Sequence, residues 1–222
     1  MKHIIIPTAI FPPKYAPRPN PYMSTDESLL LLTILLTYDR PSVLELGTHR
    51  GVTSNNMARL LAPMGGHLRT IDVKRAPDSL PEAQSDECLP VAEIGSAIEE
   101  RYRKDCTVAE HLLDGADVGK ELDDCLSAAD CRHFDVAVLD GDHSIKGVAR
   151  DLGVVSQYLA TDGMILYHDV WWDEPDPIVS GPLEALADRM VPPGVVLNAS
   201  HWGVSARDGR VIQERAMNNG GR

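Results

Sequence analysis

The sequence predicts an α/β protein: a single-domain, doubly wound, Rossmann-like fold with a mainly parallel seven-stranded sheet and helices on both faces. Three observations carry that expectation. Short runs rich in valine, leucine and isoleucine alternate with amphipathic runs along most of the chain, the pattern of repeated βαβ units. The first such run, Val43-Leu44-Glu45-Leu46, passes directly into Gly47-Thr48-His49-Arg50-Gly51, a glycine turn between strand and helix. Two later runs, Phe134–Leu139 and Met164–Tyr167, are each followed by polar residues, at the strand ends where ligands bind in this architecture.

Residues 1–25 hold Pro7, Pro12, Pro13, Pro17, Pro19 and Pro21 together with Phe11, Tyr15 and Tyr22. Proline lacks the N–H that a helix interior needs, so an extended arm or lid over residues 1–28 is expected, ahead of a domain at 29–222. Ser24-Thr25-Asp26-Glu27 reads as a helix start with acids in the first turn. The apolar run Leu29–Leu36 that follows is far too short to span a bilayer. It is either a buried helix or half of a dimer interface, so a homo-oligomer would use this helix or the arm.

From Ser42 onward the alternation places strands at Val43–Leu46, Leu68–Val73, Val108–Leu113, Phe134–Leu139 and Met164–Tyr167. Helices fall between them at Thr53–Leu61, Pro90–Lys104, Val118–Ala128 and Ile145–Tyr158. A helix at Leu183–Met190 and a final pair of segments, Val195–Ala199 and Val204–Glu214, complete the domain. Lys74–Leu89, with two prolines and mixed charge, is the one long internal loop.

At 222 residues the chain is long enough for one full core. Its net charge of −12 argues against a nucleic-acid backbone or an anionic membrane surface as main partner and favours a small molecule or a protein. Met1–Pro13 lacks the apolar core of a signal peptide, so a cytoplasmic location is expected. Cys88, Cys106, Cys125 and Cys131 show no metal-site spacing and are expected as reduced thiols.

A nicotinamide fingerprint requires G-x-G-x-x-G, whereas His49 stands two residues after Gly47 and would fill the space of a pyrophosphate. S-adenosylmethionine has no phosphates to cradle and fits G-x-x-x-G better. Asp72, at the end of the second strand, stands where an acid can accept both ribose hydroxyl protons of an adenosine. Asp140, Asp142 and His143 follow the strand Phe134–Leu139, and His168-Asp169 follow Met164–Tyr167. Neighbouring parallel strands lie ~4.8 Å apart, so Asp140, His168 and Asp169 form a candidate triad for a divalent metal. Carboxylates alone would favour magnesium, while a histidine ligand leaves manganese, iron or zinc open.

These motifs, Glu45–Ser54, Asp140–Lys146 with Asp151, and Gly163–Val170, resemble class I S-adenosylmethionine-dependent methyltransferases. The similarity is to the group reading D-G-D-H-S, helix, strand, H-D-V, which is related to macrolide sugar and catechol O-methyltransferases. The resemblance implies a loop of Glu45, Gly47, Thr48 and Gly51 around the methionine portion, Thr53 on its carboxylate, Asp72 on the ribose, and Gly115-Ala116-Asp117 beside the adenine. It further implies that Asp140 is the first metal acid, and His143 resembles the catalytic base of the sugar methyltransferases. His168 and Asp169 fall where metal-dependent relatives carry two acids, or an acid and an asparagine; in a metal-free variant His143 or His168 would act alone.

Methyl transfer from a sulfonium is an in-line displacement, so alignment of the acceptor oxygen dominates. The acceptor hydroxyl must also lose its proton, for which imidazole is suited at neutral pH. Lys146 is a weaker candidate for the same task. Trp171, Trp172, Trp202, Tyr15 and Tyr22 are candidate walls for an aromatic or glycosylated hydroxyl compound, with core or interface the alternative for the tryptophans; the resemblance implies tailoring of a natural product or sugar. Two alternatives remain at this level: other chemistry on the same scaffold, and a non-catalytic cofactor-binding subunit.

Overall fold

The computed structural model describes residues 31–74, 89–128, 133–168, 195–196 and 203–206. The proline-rich arm, most of the loop at 74–89, Asp169, the three tryptophans and the helix expected at Leu183–Met190 lie outside them.

Five parallel strands form the body of the sheet: β1 (Ser42–Leu46), β2 (His67–Val73), β3 (Val108–Leu113), β4 (Phe134–Leu139) and β5 (Leu159–Tyr167). Their order is β3-β2-β1-β4-β5, continued by antiparallel pairing to β6 (Val195–Val196) and β7 (Gly203–Ala206), with β7 beside β5. The connectivity steps outward from β1 to β3 and then resumes on the other side of β1 at β4. Strand order therefore reverses between β1 and β4, and a crevice opens at their carboxyl ends.

The sheet is buried on both faces, which explains the near-continuous apolar runs. Along β1, Val43 joins one core with Leu68, Val136, Val138 and Leu166, while Leu44 and Leu46 join the other with Ile71, Ala137 and Ile165. The first core is closed by helix α1 (Val52–Met64) through Met57, Ala58, Leu60 and Leu61, and by the helical segment at 31–35. The second is closed by α3 (Val118–Ser127) through Leu122 and Leu126, and by α4 (Ile145–Val155) through Val148, Leu152 and Val155. Among the described residues of this run, Leu31, Leu32, Ile34 and Leu35 are buried within their own chain and Leu36 is exposed. The described part of the run, 31–35, packs into the first core.

The expected helix over Pro90–Lys104 is broken. A 3-10 turn at Val91–Glu93 leads through a bend to the short helix α2 (Glu100–Lys104). The cause is the glycine turn: Gly95 and Ala97 donate their N–H groups to the carbonyls of His49 and Arg50, each at 2.8 Å. A continuous helix would have consumed those donors internally. Two other boundaries shift. β5 starts at Leu159 rather than Met164, because an irregularity advances five residues of β5 against two of β4. α4 ends at Val155 rather than Tyr158, and no described helix is long and apolar enough to cross a membrane.

Candidate active site

Glu45 is the fourth residue of β1 and is completely buried. Strand periodicity puts it on the face of Val43, toward α1. Its Oε2 accepts hydrogen bonds from Ser54 Oγ at 2.5 Å and Thr70 Oγ1 at 2.6 Å. The buried Thr48 hydroxyl shares a 2.6 Å hydrogen bond with that of Thr70. Oε1 is also buried and has no hydrogen-bond partner. Burial pushes the Glu45 carboxyl up to about 8, against the opposing pull of its two hydroxyl donors, and the nearby charges of Asp140 and Asp72 push the same way.

Register explains why these acids gather. Glu45 lies opposite Thr70 on β2 and Val138 on β4; Asp72 and Asp140 stand two residues further along those strands and so face the same side. The position two beyond Glu45 is Gly47, with φ 96°. A Cβ there would sit 2.1 Å from the Asp140 carbonyl oxygen, so only glycine allows β1 and β4 to stay this close. The ladder runs on through this level: Gly47 N–H donates to the Ile71 carbonyl and Asp140 N–H to the Leu46 carbonyl, both at 2.9 Å.

Asp72 has a second duty. Its Oδ2 accepts from the His49 N–H at 2.6 Å and its Oδ1 from the Val73 N–H at 2.7 Å. It thus anchors the glycine turn, where His49 holds the unusual φ of 46°. Burial raises its pKa, and these backbone donors oppose the rise. Gly51, with φ 77°, caps α1; a Cβ there would overlap Ile98 Cγ1 at 2.5 Å. Both glycines of the motif are therefore required by packing of the protein against itself.

At the other side of the crevice, Asp140 Oδ1 lies 2.9 Å from His168 Nδ1 and 3.9 Å from His143 Nε2. His168 is buried, whereas the His143 side chain is 22% exposed, making His143 the imidazole open to a substrate. The loop carrying it is clamped from α4. Arg150 reaches Asp151 Oδ1 at 2.7 Å and Asp142 Oδ2 at 3.4 Å, while Asp142 Oδ1 accepts the Ser144 N–H at 3.0 Å. Gly147 makes the room, since a Cβ there would lie 2.0 Å from the Asp142 carboxyl carbon. Burial raises the Asp151 pKa and Arg150 opposes the rise.

The remaining expected residues divide. Thr53 stands half-buried in the first turn of α1, near the glycine turn. In the Gly115-Ala116-Asp117 turn all three N–H groups donate to the Glu121 carboxylate at 3.0 Å, and Asp117 Oδ1 caps α3 by accepting the Lys120 N–H. That turn is shaped by its own helix cap, and Asp117 is exposed beside it. Lys146 is exposed on the first turn of α4. Asp140 and His168 are brought together, while Asp169 lies outside the described residues, among which no group of three or more His, Cys, Asp and Glu side chains is arranged to hold a metal ion. Reading the sequence by motif missed Ser54, Thr70 and Arg150. Thr70 carried a signal, because it shares strand periodicity with Asp72 and register with Glu45; the other two are set by helix geometry alone.

A doubly wound sheet with acids gathered at its strand-reversal point has the architecture in which nucleoside-containing ligands bind. The family model described as "Methyltransferase domain" matches residues 44–170, more than half of the chain. The chain belongs to that methyltransferase family, which bears out the resemblance to class I S-adenosylmethionine-dependent methyltransferases. No curated relative matches it in sequence. Among solved structures it is similar to the calicheamicin methyltransferase CalS11, at 15% identity and TM-score 0.56, over 82% of this chain and 79% of that one. It is also similar to an O-methyltransferase from Bacillus cereus in complex with S-adenosylhomocysteine, at 16% identity and TM-score 0.56, over 86% and 82%. A third is TomG, an O-methyltransferase from Streptomyces achromogenes involved in tomaymycin synthesis and solved with S-adenosylmethionine, at 18% identity and TM-score 0.53, over 82% and 79%.

Proposed function

We infer that the chain transfers a methyl group from S-adenosylmethionine to a hydroxyl of a small molecule, in the tailoring of a natural product or a sugar. The observation that carries this reading is the convergence of Glu45, Asp72 and Asp140 around Gly47, at the strand-reversal point of a methyltransferase-family sheet. Three acids there suit a cofactor that bears a sulfonium and an ammonium and has no phosphates. Asp72 would receive the ribose hydroxyls, and Thr48, Thr53 and the turn from Gly47 to Gly51 would surround the methionine portion. O-methyltransferases among the similar structures support the choice of a hydroxyl acceptor.

In this reading His143 is the general base. It is the more open of the two imidazoles, and its Nε2 lies 3.9 Å from the Asp140 carboxylate. Fixing the acceptor oxygen in line with the methyl group and sulfur supplies the larger share of rate enhancement, up to ~7–11 kcal/mol in favourable cases. A base contributes ~10²- to 10⁴-fold more. Asp140 and His168, 2.9 Å apart, would with Asp169 hold a divalent ion if one binds, and that ion would lower the pKa of the acceptor hydroxyl. Lys146 has no part in this scheme, given its exposure.

The test is to incubate the purified protein with methyl-labelled S-adenosylmethionine and a panel of sugar and phenolic hydroxyl compounds. Label should appear in an ether linkage on at least one acceptor, with S-adenosylhomocysteine formed in equal amount. Label found on nitrogen or carbon instead would overturn the hydroxyl assignment, and activity that survives exhaustive chelation would rule out the ion.

A further inference from the structure

We propose that binding of the positively charged cofactor is coupled to the expulsion of a proton from Glu45, so that cation and proton exchange places within the acid cluster. This rests on the cofactor reading above and goes beyond it. Three carboxyls share one face at the ends of adjacent strands, and the innermost, Glu45, is sealed from solvent. Ser54 from α1 and Thr70 from β2 bind only its Oε2, which leaves Oε1 buried and unpartnered. Such an arrangement is costly for a carboxylate and tolerable for a neutral acid.

The charged and titratable groups around it act in a consistent direction. Asp72 on β2 and Asp140 after β4 both disfavour a charge on Glu45. The imidazoles lie one step further out, His49 beside Asp72, and His143 and His168 beside Asp140. Without ligand the proton is what keeps the cluster from carrying three negative charges. A cation placed over Gly47 removes that need, and the carboxyl ionises: the O–H bond of Glu45 breaks, its electron pair stays on the carboxylate, and the proton passes to bulk buffer. The pull comes from the shared positive charge of the methionine end, either the sulfonium or the α-ammonium. S-adenosylhomocysteine keeps the ammonium and lacks the sulfonium, so the two compounds separate the sources.

Calorimetric titration of the full chain with each compound at pH 7, in buffers of low and high ionisation enthalpy, counts the protons. Close to one proton should be released per S-adenosylmethionine bound, falling toward zero above pH 9, where Glu45 is already ionised. Release with both compounds assigns the ammonium; release with S-adenosylmethionine alone assigns the sulfonium. Glu45→Gln should bind more weakly than the wild-type chain and release none. If that variant does not fold, loss of the protonated-carboxyl infrared band of the wild-type chain on binding serves instead. Binding without proton release at pH 7, or unchanged release in Glu45→Gln, overturns the coupling and leaves the cofactor reading intact; absence of binding by either compound overturns both.

Discussion

At the β1–β2 end of the crevice Glu45 is sealed in, served by two hydroxyls and keeps its proton to about pH 8. At the β4–α4 end Asp142 and Asp151 are nearly as deep, with side chains 8% and 7% exposed, yet they share the Arg150 guanidinium. A buried carboxyl is thus kept neutral on one side and paired on the other. The neutral side holds an uncommitted acid that an incoming cation can recruit. The paired side is already satisfied, and its charges fix the loop that carries His143. The contrast suggests a division of labour, with cofactor binding at β1–β2 and proton transfer at β4–α4.

Removing the cation from the paired side should have the largest effect. Arg150→Met strands two buried acids, and breaking a buried pair from one side costs ~3–5 kcal/mol. Chemical denaturation should show that loss; a change below ~1 kcal/mol would mean the clamp is not a structural determinant. On the neutral side the expected effect depends on pH. The folded chain holds the Glu45 proton between the ordinary carboxyl range and about 8, while the unfolded chain has lost it. Stability from this group is therefore full below about pH 4.5 and declines as pH rises through 8. The decline is on the order of 3–5 kcal/mol in the absence of cofactor. Glu45→Gln should remove this slope, and a variant with the wild-type slope would place the titrating group elsewhere.

His143→Ala should lower turnover by two or more orders of magnitude and leave cofactor affinity nearly intact, the pattern of an interaction used in the transition state. A fall of less than fivefold moves the base to His168. Asp72→Ala should weaken S-adenosylhomocysteine binding at least tenfold. Because Asp72 also anchors the His49 N–H, thermal stability must be read alongside; unchanged affinity in a folded variant would remove Asp72 from the ribose.

Much of the fold was legible in the sequence because burial on both sheet faces writes long apolar runs; β3 and β4 match their expected bounds. What failed was local periodicity where tertiary contacts override it. Pro90–Lys104 reads as a helix, but Gly95 and Ala97 must satisfy the glycine turn. In the site, Glu45, Asp72, Asp140 and His143 were legible as polar residues at strand ends. Their partners were not, since Ser54 and Arg150 reach them from helices whose rotation the sequence does not mark. The G-x-x-x-G motif was legible for a partly different reason from the one expected, its glycines making room for Asp140 and Ile98 whether or not a ligand is bound.

The most direct test of the central claim is a calorimetric comparison of S-adenosylmethionine with a nicotinamide dinucleotide on the purified chain. Saturable one-to-one binding of S-adenosylmethionine, with no heat from the dinucleotide, is the predicted result. Saturable binding of the dinucleotide with none of S-adenosylmethionine would contradict the account.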